Sequence, residues 1–231
     1  MIHKETATPS RVALRRAKKT TALIDATLEL ILEEGLAGLT VQGLADRMDW
    51  SLGALYRYFP GKDALLIAAQ RRVIEELHAD IRRDIEALGL ADEPLACVLA
   101  ATRCFRRFAM EQPARFHLIS AVLADPRPLL SNEHVGELAG LLRALLATVD
   151  EQLEKSVRAG QLEVGDSAQR TVLLWAGLHG LLQFSKLGRL EARLRQTTVL
   201  AETIVDDLLR SWGASPASLA SAHMLLLEIP S

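Results

Sequence analysis

The stretch from Thr40 to Lys62, TVQGLADRMDWSLGALYRYFPGK, gathers the side chains best placed to act on a partner in this 231-residue chain. Four of the ten aromatic residues, Trp50, Tyr56, Tyr58 and Phe59, fall within ten positions there. Val41, Leu44, Ala45, Met48 and Leu55 are spaced to face inward on two short helices. Gln42, Ser51, Leu52, Gly53, Ala54, Tyr56, Arg57 and Tyr58 are left pointing mostly outward. Small groups at Gly53 and Ala54 let a helix backbone approach another surface closely. A helix that starts with small and polar groups and is flanked by tyrosine, arginine and lysine suits the major groove of DNA.

The elements that must position these groups are helical. Nearly every segment repeats its apolar residues at helical spacing, and none alternates as a strand would. A first helix is predicted from Lys18 to Glu34, carrying Leu23, Ile24, Leu28 and Ile31 on one face, with Gly35 as its stop. Thr40 caps a helix over Val41 to Met48, and Ser51 caps another over Leu52 to Tyr58. Pro60 ends the latter, because the residue before a proline is pushed out of helical geometry. A long helix follows from Gly61 toward Leu88. Five more are expected at Leu95 to Met110, Arg115 to Leu123, His134 to Ala159, Ser167 to Leu187 and Arg195 to Trp212. Ser211 to Ser221, rich in Ala and Ser with Gly213 and Pro216, reads as a linker, and Met224 to Leu227 as a segment able to pack back on the body.

Composition bounds the possibilities. Hydrophobic residues make up 49% and charged residues 24%, which excludes a disordered or collagenous chain. Net charge is −2, but it is unevenly spread. Residues 1–24 carry Lys4, Arg11, Arg15, Arg16, Lys18 and Lys19 against Glu5 alone, a net +5; the other 207 residues carry −7. A basic arm ahead of a helix is a phosphate-seeking device, with a solvated tail as the plain alternative. Cys97 and Cys104 make no secreted disulfide framework; seven residues along one helix set them about 10.5 Å apart. Thr171 to Ser185, the most apolar stretch, runs fifteen residues without a charge, shorter than the roughly twenty residues of a membrane span, and reads as a buried core helix. With no signal-type N-terminus, a soluble, cytoplasmic protein without a membrane partner is expected.

The ordered series Glu34-Gly35, Leu39-Thr40-Val41, Leu44-Ala45 and Ser51-x-Gly53-x-Leu55-Tyr56-x-x-Phe59-x-x-Lys62-x-x-Leu65 resembles the TetR family of transcriptional regulators. Asp49-Trp50 stands where that family commonly has Gly-Val, and Tyr58 where it commonly has His. The resemblance implies an all-α fold: an N-terminal three-helix helix-turn-helix domain followed by a larger helical bundle for ligand binding and dimerisation. The expected parts are a basic arm at 1–17, a DNA-binding domain at 18–66, a ligand-binding and dimerisation domain at 67–212, and a C-terminal tail at 213–231. It further implies phosphate contacts from Thr40, Tyr56, Arg57, Tyr58 and Lys62. Thr40 would act as a cap beside orphan amides, and Lys62 as a cation in a first helical turn, where only a phosphate offsets the macrodipole. Base contacts would come from Gln42, Ser51, Leu52, Gly53 and Ala54, with Leu52 suited to a thymine methyl.

In the second half, Trp175-Ala176-Gly177-Leu178-His179-Gly180 is similar to a Trp-x-x-x-His-Gly pattern of some TetR-type C-terminal domains. Cys104, Phe105, Phe108, Met110, Phe116, Trp175, His179, Gln183 and Phe184 are core or, alternatively, line an apolar effector pocket. His179 reads first as a core or interface histidine. The histidines are scattered and the cysteines lack metal-ligand spacing, so neither metal nor cofactor is expected. The last two long helices are the expected homodimer surface. The expected function is a homodimeric repressor, released from a palindromic operator in double-stranded DNA by a small apolar molecule. Control by a protein partner or by cysteine oxidation is the alternative, and a helical interaction module without DNA is the competing class. No phosphate loop, dinucleotide fingerprint, nucleophile elbow or zinc-protease motif supports an enzyme.

Overall fold

The computed structural model describes residues 10–87, 89, 93–124, 132–184 and 196–227, and all its regular elements are α-helices. Three short or kinked helices come first. α1 (Arg11–Gly38) is capped by Ser10 Oγ, which accepts from the Ala13 amide, and it kinks at Gly35, whose φ of 75° ends the first run. α2 (Val41–Arg47) and α3 (Leu52–Tyr56) follow, then α4 (Lys62–Ala87). The remainder is α5 (Pro94–Glu111), α6 (Pro113–Ala124), α7 (Asn132–Arg158), α8 (Ser167–Phe184), α9 (Thr197–Ser211) and α10 (Pro216–Leu227). Among the described residues no helix is long and apolar enough to cross a membrane.

The start of α1 corrects the expected helix start and takes in residues 11–17 of the expected basic arm. Its helix begins at Arg11, seven residues ahead of the predicted Lys18, because Ser10 satisfies an orphan amide and no Gly or Pro intervenes. The part of the expected arm before Ser10 lies outside the described residues. The expected linker at Ser211 to Ser221 is also corrected. Ser215 Oγ accepts from the Ser218 amide at 3.0 Å, and Pro216 opens α10. That is an N-cap followed by a proline whose missing N–H costs nothing in a first turn. Leu219, Ala222 and Leu226 then bury one face of α10 against α5. The ends predicted near Leu88, Leu187 and Arg195 lie outside the described residues, as does the 228–231 end of the tail.

α5 is the hub of the larger part. Twelve of its eighteen residues are buried, and α4, α6, α7, α8, α9 and α10 all pack on it. Such crowding is possible because Ala96, Ala100, Ala101, Cys97, Cys104 and Ala109 are small, so neighbouring helices approach closely from several sides. α4 joins the two parts and is fastened along its length. Lys62 Nζ donates to the Leu36 carbonyl at 3.3 Å, and Gln70 Nε2 to the Leu118 carbonyl at 3.0 Å. Glu76 receives both Arg72 and Arg115, His78 Nε2 meets Thr148 Oγ1 at 2.9 Å, and Arg107 donates to Asp84 at 2.7 Å.

Candidate nucleic-acid interface

α2 and α3 form a helix-turn-helix resting on α1. Leu44, Ala45, Leu55 and Phe59 join Leu23, Ala26, Leu30, Ile31, Leu39 and Leu65 in its core. The predicted caps are formed: Thr40 Oγ1 accepts from the Gly43 amide at 2.9 Å, and Ser51 Oγ from the Ala54 amide at 3.2 Å. The turn between them needs a left-handed residue, and Asp49 supplies it with φ 55°. A short polar residue tolerates this conformation better than most, though at a cost a glycine would avoid. Arg47 locks α2 onto α1 by a two-pronged hydrogen bond to Glu33, at 2.7 and 2.8 Å, and a 3.1 Å bond to Glu29. These hydrogen bonds hold the Glu33 carboxyl below its usual range and push the Arg47 guanidinium up.

The outward set stands as follows. Ser51, Leu52, Gly53, Tyr56 and Arg57 are exposed along α3, with Ala54 half-buried behind them. Nothing lies within 4 Å of the place a Cβ would occupy on Gly53, so this side of α3 is open for close approach. Gln42 is exposed on α2, its amide nitrogen donating to Asp46 Oδ1 at 2.7 Å. Thr40 is exposed at the start of α2. Lys62 is half-buried and caps the last turn of α1 through Leu36, which gives its ammonium one fixed partner and leaves two N–H groups.

Tyr58 and Trp50 are arranged in a way the sequence did not suggest. Their ring centroids lie 5.4 Å apart at an interplanar angle of 48°. Arg16 stands over Tyr58 at 5.8 Å and Lys19 over Trp50 at 5.3 Å. Arg16 Nη2 also donates to the Arg57 carbonyl at 3.4 Å. Two cations of α1 are thereby seated on two rings of the helix-turn-helix, each within cation–π range. Nearby charge excess was readable in the sequence; a contact spanning more than thirty residues was not.

In the bundle, the nine expected pocket residues separate. Phe105 and Trp175 wall an apolar cavity of about 40 Å³, together with Ile81, Leu145, Val149 and Leu174 among others. His179 is ringed by Phe116 at 5.1 Å, Trp175 at 5.2 Å and Phe105 at 6.3 Å. Gln183 Nε2 approaches His179 Nε2 at 3.4 Å, and His179 Nδ1 is buried with no hydrogen-bond partner among the described residues. Burial pushes this imidazole's pKa down, so it is neutral at pH 7. Cys104 and Phe108 are buried elsewhere on α5, and Met110 and Phe184 are exposed, outside the cavity. Both thiols are buried and pushed up, that of Cys104 to about 12.

Residues 23–69 match the family described as bacterial regulatory proteins, tetR family, and residues 98–208 match the tetracyclin repressor-like C-terminal domain. The HTH-type transcriptional regulator BetI of Brucella anthropi is 30% identical over 149 residues, which cover 63% of this chain and 74% of that one. BetI of Burkholderia cenocepacia is 42% identical over 89 residues, 38% of this chain and 44% of the relative. The chain belongs to the TetR family. As a TetR-family protein it is a DNA-binding transcriptional regulator, and not an enzyme. Solved structures agree on the TetR fold. RolR in complex with resorcinol superimposes with a TM-score of 0.62 at 17% identity, covering 95% of this chain and 98% of that one. SmeT, the repressor of the Stenotrophomonas maltophilia multidrug efflux pump SmeDEF, gives 0.58 at 20% identity, covering 84% and 89%.

Proposed function

We propose that this TetR-family regulator is a homodimeric repressor that leaves a palindromic operator when a small apolar molecule enters its bundle. The observation that carries the DNA side is the open, capped end of α3: Ser51, Leu52 and Gly53 exposed on a helix whose position Leu55 and Arg47 fix from behind. In this reading Gln42, Ser51, Leu52, Gly53 and Ala54 face base edges, while Thr40, Tyr56, Arg57, Tyr58 and Lys62 face phosphates. The DNA-binding unit is 18–66, extended at its N-terminal side by the first turns of α1, and 67–212 binds effector and partner copy. One unit of this size reads about four base pairs, so useful specificity calls for two units about 34 Å apart.

The apolar face of α8 supports pairing of two copies. Val172, Leu173, Ala176 and Phe184 are exposed along one side, opposite the buried Thr171, Leu174, Leu178 and Leu182. Val199 of α9 is exposed as well. A face of this kind on a soluble helix calls for a partner, and an isologous second copy supplies the same face. The apolar lining of the cavity walled by Phe105 and Trp175 favours an effector that is largely apolar, and at about 40 Å³ the cavity must widen to admit one; RolR, of the same fold, is solved with resorcinol. The effector acts only to the extent that it binds the released conformation better than the DNA-bound one.

Selection of bound fragments from random duplex DNA by the purified protein tests this directly. Recovery of an inverted repeat, bound by two copies and released by an apolar compound, is the expected result. Recovery of asymmetric sites bound by one copy would overturn the dimer-on-palindrome reading.

A further inference from the structure

From Ser10 to Ile24 the sequence carries Arg11, Arg15, Arg16, Lys18 and Lys19 and no acidic residue. All five are exposed on the first turns of α1, and none of them makes an ion pair among the described residues. On its own this helix end is electrostatically unfavourable. Its first turn holds a cation at the positive end of the helix dipole. Arg11 faces Arg15 and Arg15 faces Lys19 at i,i+4 spacing, where like charges repel. The neutral hydroxyl cap of Ser10 does nothing to compensate.

The same turns are nevertheless held in place. Arg16 and Lys19 sit on the Tyr58–Trp50 pair, and Arg16 reaches the Arg57 carbonyl. This clasp sets the start of α1 against the C-terminal end of α3, beside the exposed Tyr56 and Arg57. Successive residues on a helix turn by about 100°, so Arg16 and Lys19 share the side of α1 that meets the rings. Arg11, Arg15 and Lys18 form a neighbouring stripe that the clasp leaves in solvent. Uncompensated cations aligned beside a DNA-reading helix have a natural counterpart in a row of phosphates.

We propose that the start of α1 is a second DNA-contacting surface, in which Arg11, Arg15 and Lys18 bind phosphates flanking the bases read by α3. Trp50 is its positioning residue: it touches no DNA and acts by holding the charged stripe in register through Lys19 and Tyr58. This inference rests on the DNA-binding role of α3 and extends the footprint beyond it. Binding of the stripe to backbone carries no sequence information, so it adds affinity and salt dependence equally on all sequences.

The test uses the full chain and mixed-sequence duplex DNA, with affinity measured across a salt series. The slope of log affinity on log salt falls by about 0.9 for each phosphate contact removed. The triple variant R11Q/R15Q/K18Q, which changes only exposed side chains, is expected to flatten the slope by roughly two to three such steps per protomer. Trp50→Ala is expected to flatten it similarly although no charge is removed, and Trp50→Phe, which keeps a ring under Lys19, to restore it. Adding Trp50→Ala to the triple variant should then flatten the slope little further, since both remove the same contacts. An unchanged slope in the triple variant overturns the proposal. So does a Trp50→Ala variant that loses affinity at unchanged slope, or whose effect simply adds to that of the triple variant. If Trp50→Ala fails to fold, the triple variant alone decides. Absence of any salt-dependent binding by the wild-type chain would instead strike at the DNA-binding role of α3.

Discussion

α3 and α5 occupy opposite extremes of the same molecule. α3 has five residues and buries only Leu55; α5 has eighteen and buries twelve. The first is held by a hydroxyl cap, a strained turn at Asp49 and a single core leucine, and it presents the rest of itself to solvent. The second is held by packing from six helices and fully exposes only Met110 and Glu111 at its end. A helix that must touch a partner keeps its polar and small residues free and borrows its rigidity from neighbours. A helix that must carry a bundle gives up its surface, and its small residues serve close packing instead of approach to DNA.

The largest test of that contrast compares Leu55→Ala with Leu153→Ala, both fully buried in the native protein. Each should cost about 3–5 kcal/mol. Calorimetry should show the first melting the helix-turn-helix ahead of the bundle and the second lowering the bundle transition. Identical, single transitions would mean that the two parts unfold as one unit and that the contrast is one of surface only.

Caps give a smaller and sharper test. Ser51→Ala and Ser215→Ala each remove a hydroxyl that caps a helix start, at a cost of about 1 kcal/mol. Only the former should weaken DNA binding, by about fivefold or more, in a fluorescence anisotropy titration. Equal loss from Ser215→Ala would show that α10 acts on the DNA-binding end from a distance.

The Glu76 junction between α4 and α6 adds a pH dependence. Burial raises the Glu76 carboxyl, but hydrogen bonds from Arg72 and Arg115 outweigh it and hold the group below its usual range. A carboxyl depressed in the folded state stabilises above its unfolded value, about 4.3, and that stability is lost as pH falls through the lower folded value. Denaturation midpoints should therefore drop on acidification, and Glu76→Gln should flatten that acid limb while lowering stability near neutral pH. An acid limb as steep in the variant as in the wild type would assign it to other carboxylates, such as Glu33.

The smallest expected effect is none. Burial pushes both thiols of α5 up, Cys104 to about 12, so little nucleophilic thiolate exists near pH 7. Peroxide should leave DNA affinity unchanged, and a thiol reagent should label the protein only on unfolding. Rapid labelling of the native chain would revive control by oxidation.

The parts of this molecule that depend on neighbours in sequence were legible there. Thr40 and Ser51 before apolar periodic runs, Gly35 after one, and Pro60 after another mark α1 to α4; the structure forms the Thr40 and Ser51 caps, makes Gly35 a kink with α1 continuing to Gly38, and ends α3 at Tyr56, short of the predicted Tyr58. α10 was misread because Ala and Ser suggest a linker by composition, whereas Ser215-Pro216 and the apolar spacing of Leu219, Ala222 and Leu226 specify a helix. The seat of Arg16 and Lys19 on Tyr58 and Trp50 was out of reach, since it depends on how two helices cross. The same holds for the pocket residues. Periodicity marks Phe105, Met110 and Phe184 alike as apolar helix positions, and only the rotation of α5 and α8 decides that Phe105 meets the cavity while the other two meet solvent.

The fastenings along α4 have a mechanical consequence. At 26 residues the helix is a rod of about 39 Å. Gln70, Glu76, His78 and Asp84 grip it at intervals from α6, α7 and α5, while Lys62 at its far end grips the last turn of α1. A tilt of roughly 5° about the bundle end would carry Lys62 about 3 Å, and α1 with it. The gearing runs one way in distance and the other in force, so a small rearrangement in the packed bundle becomes a displacement comparable to a base-pair rise.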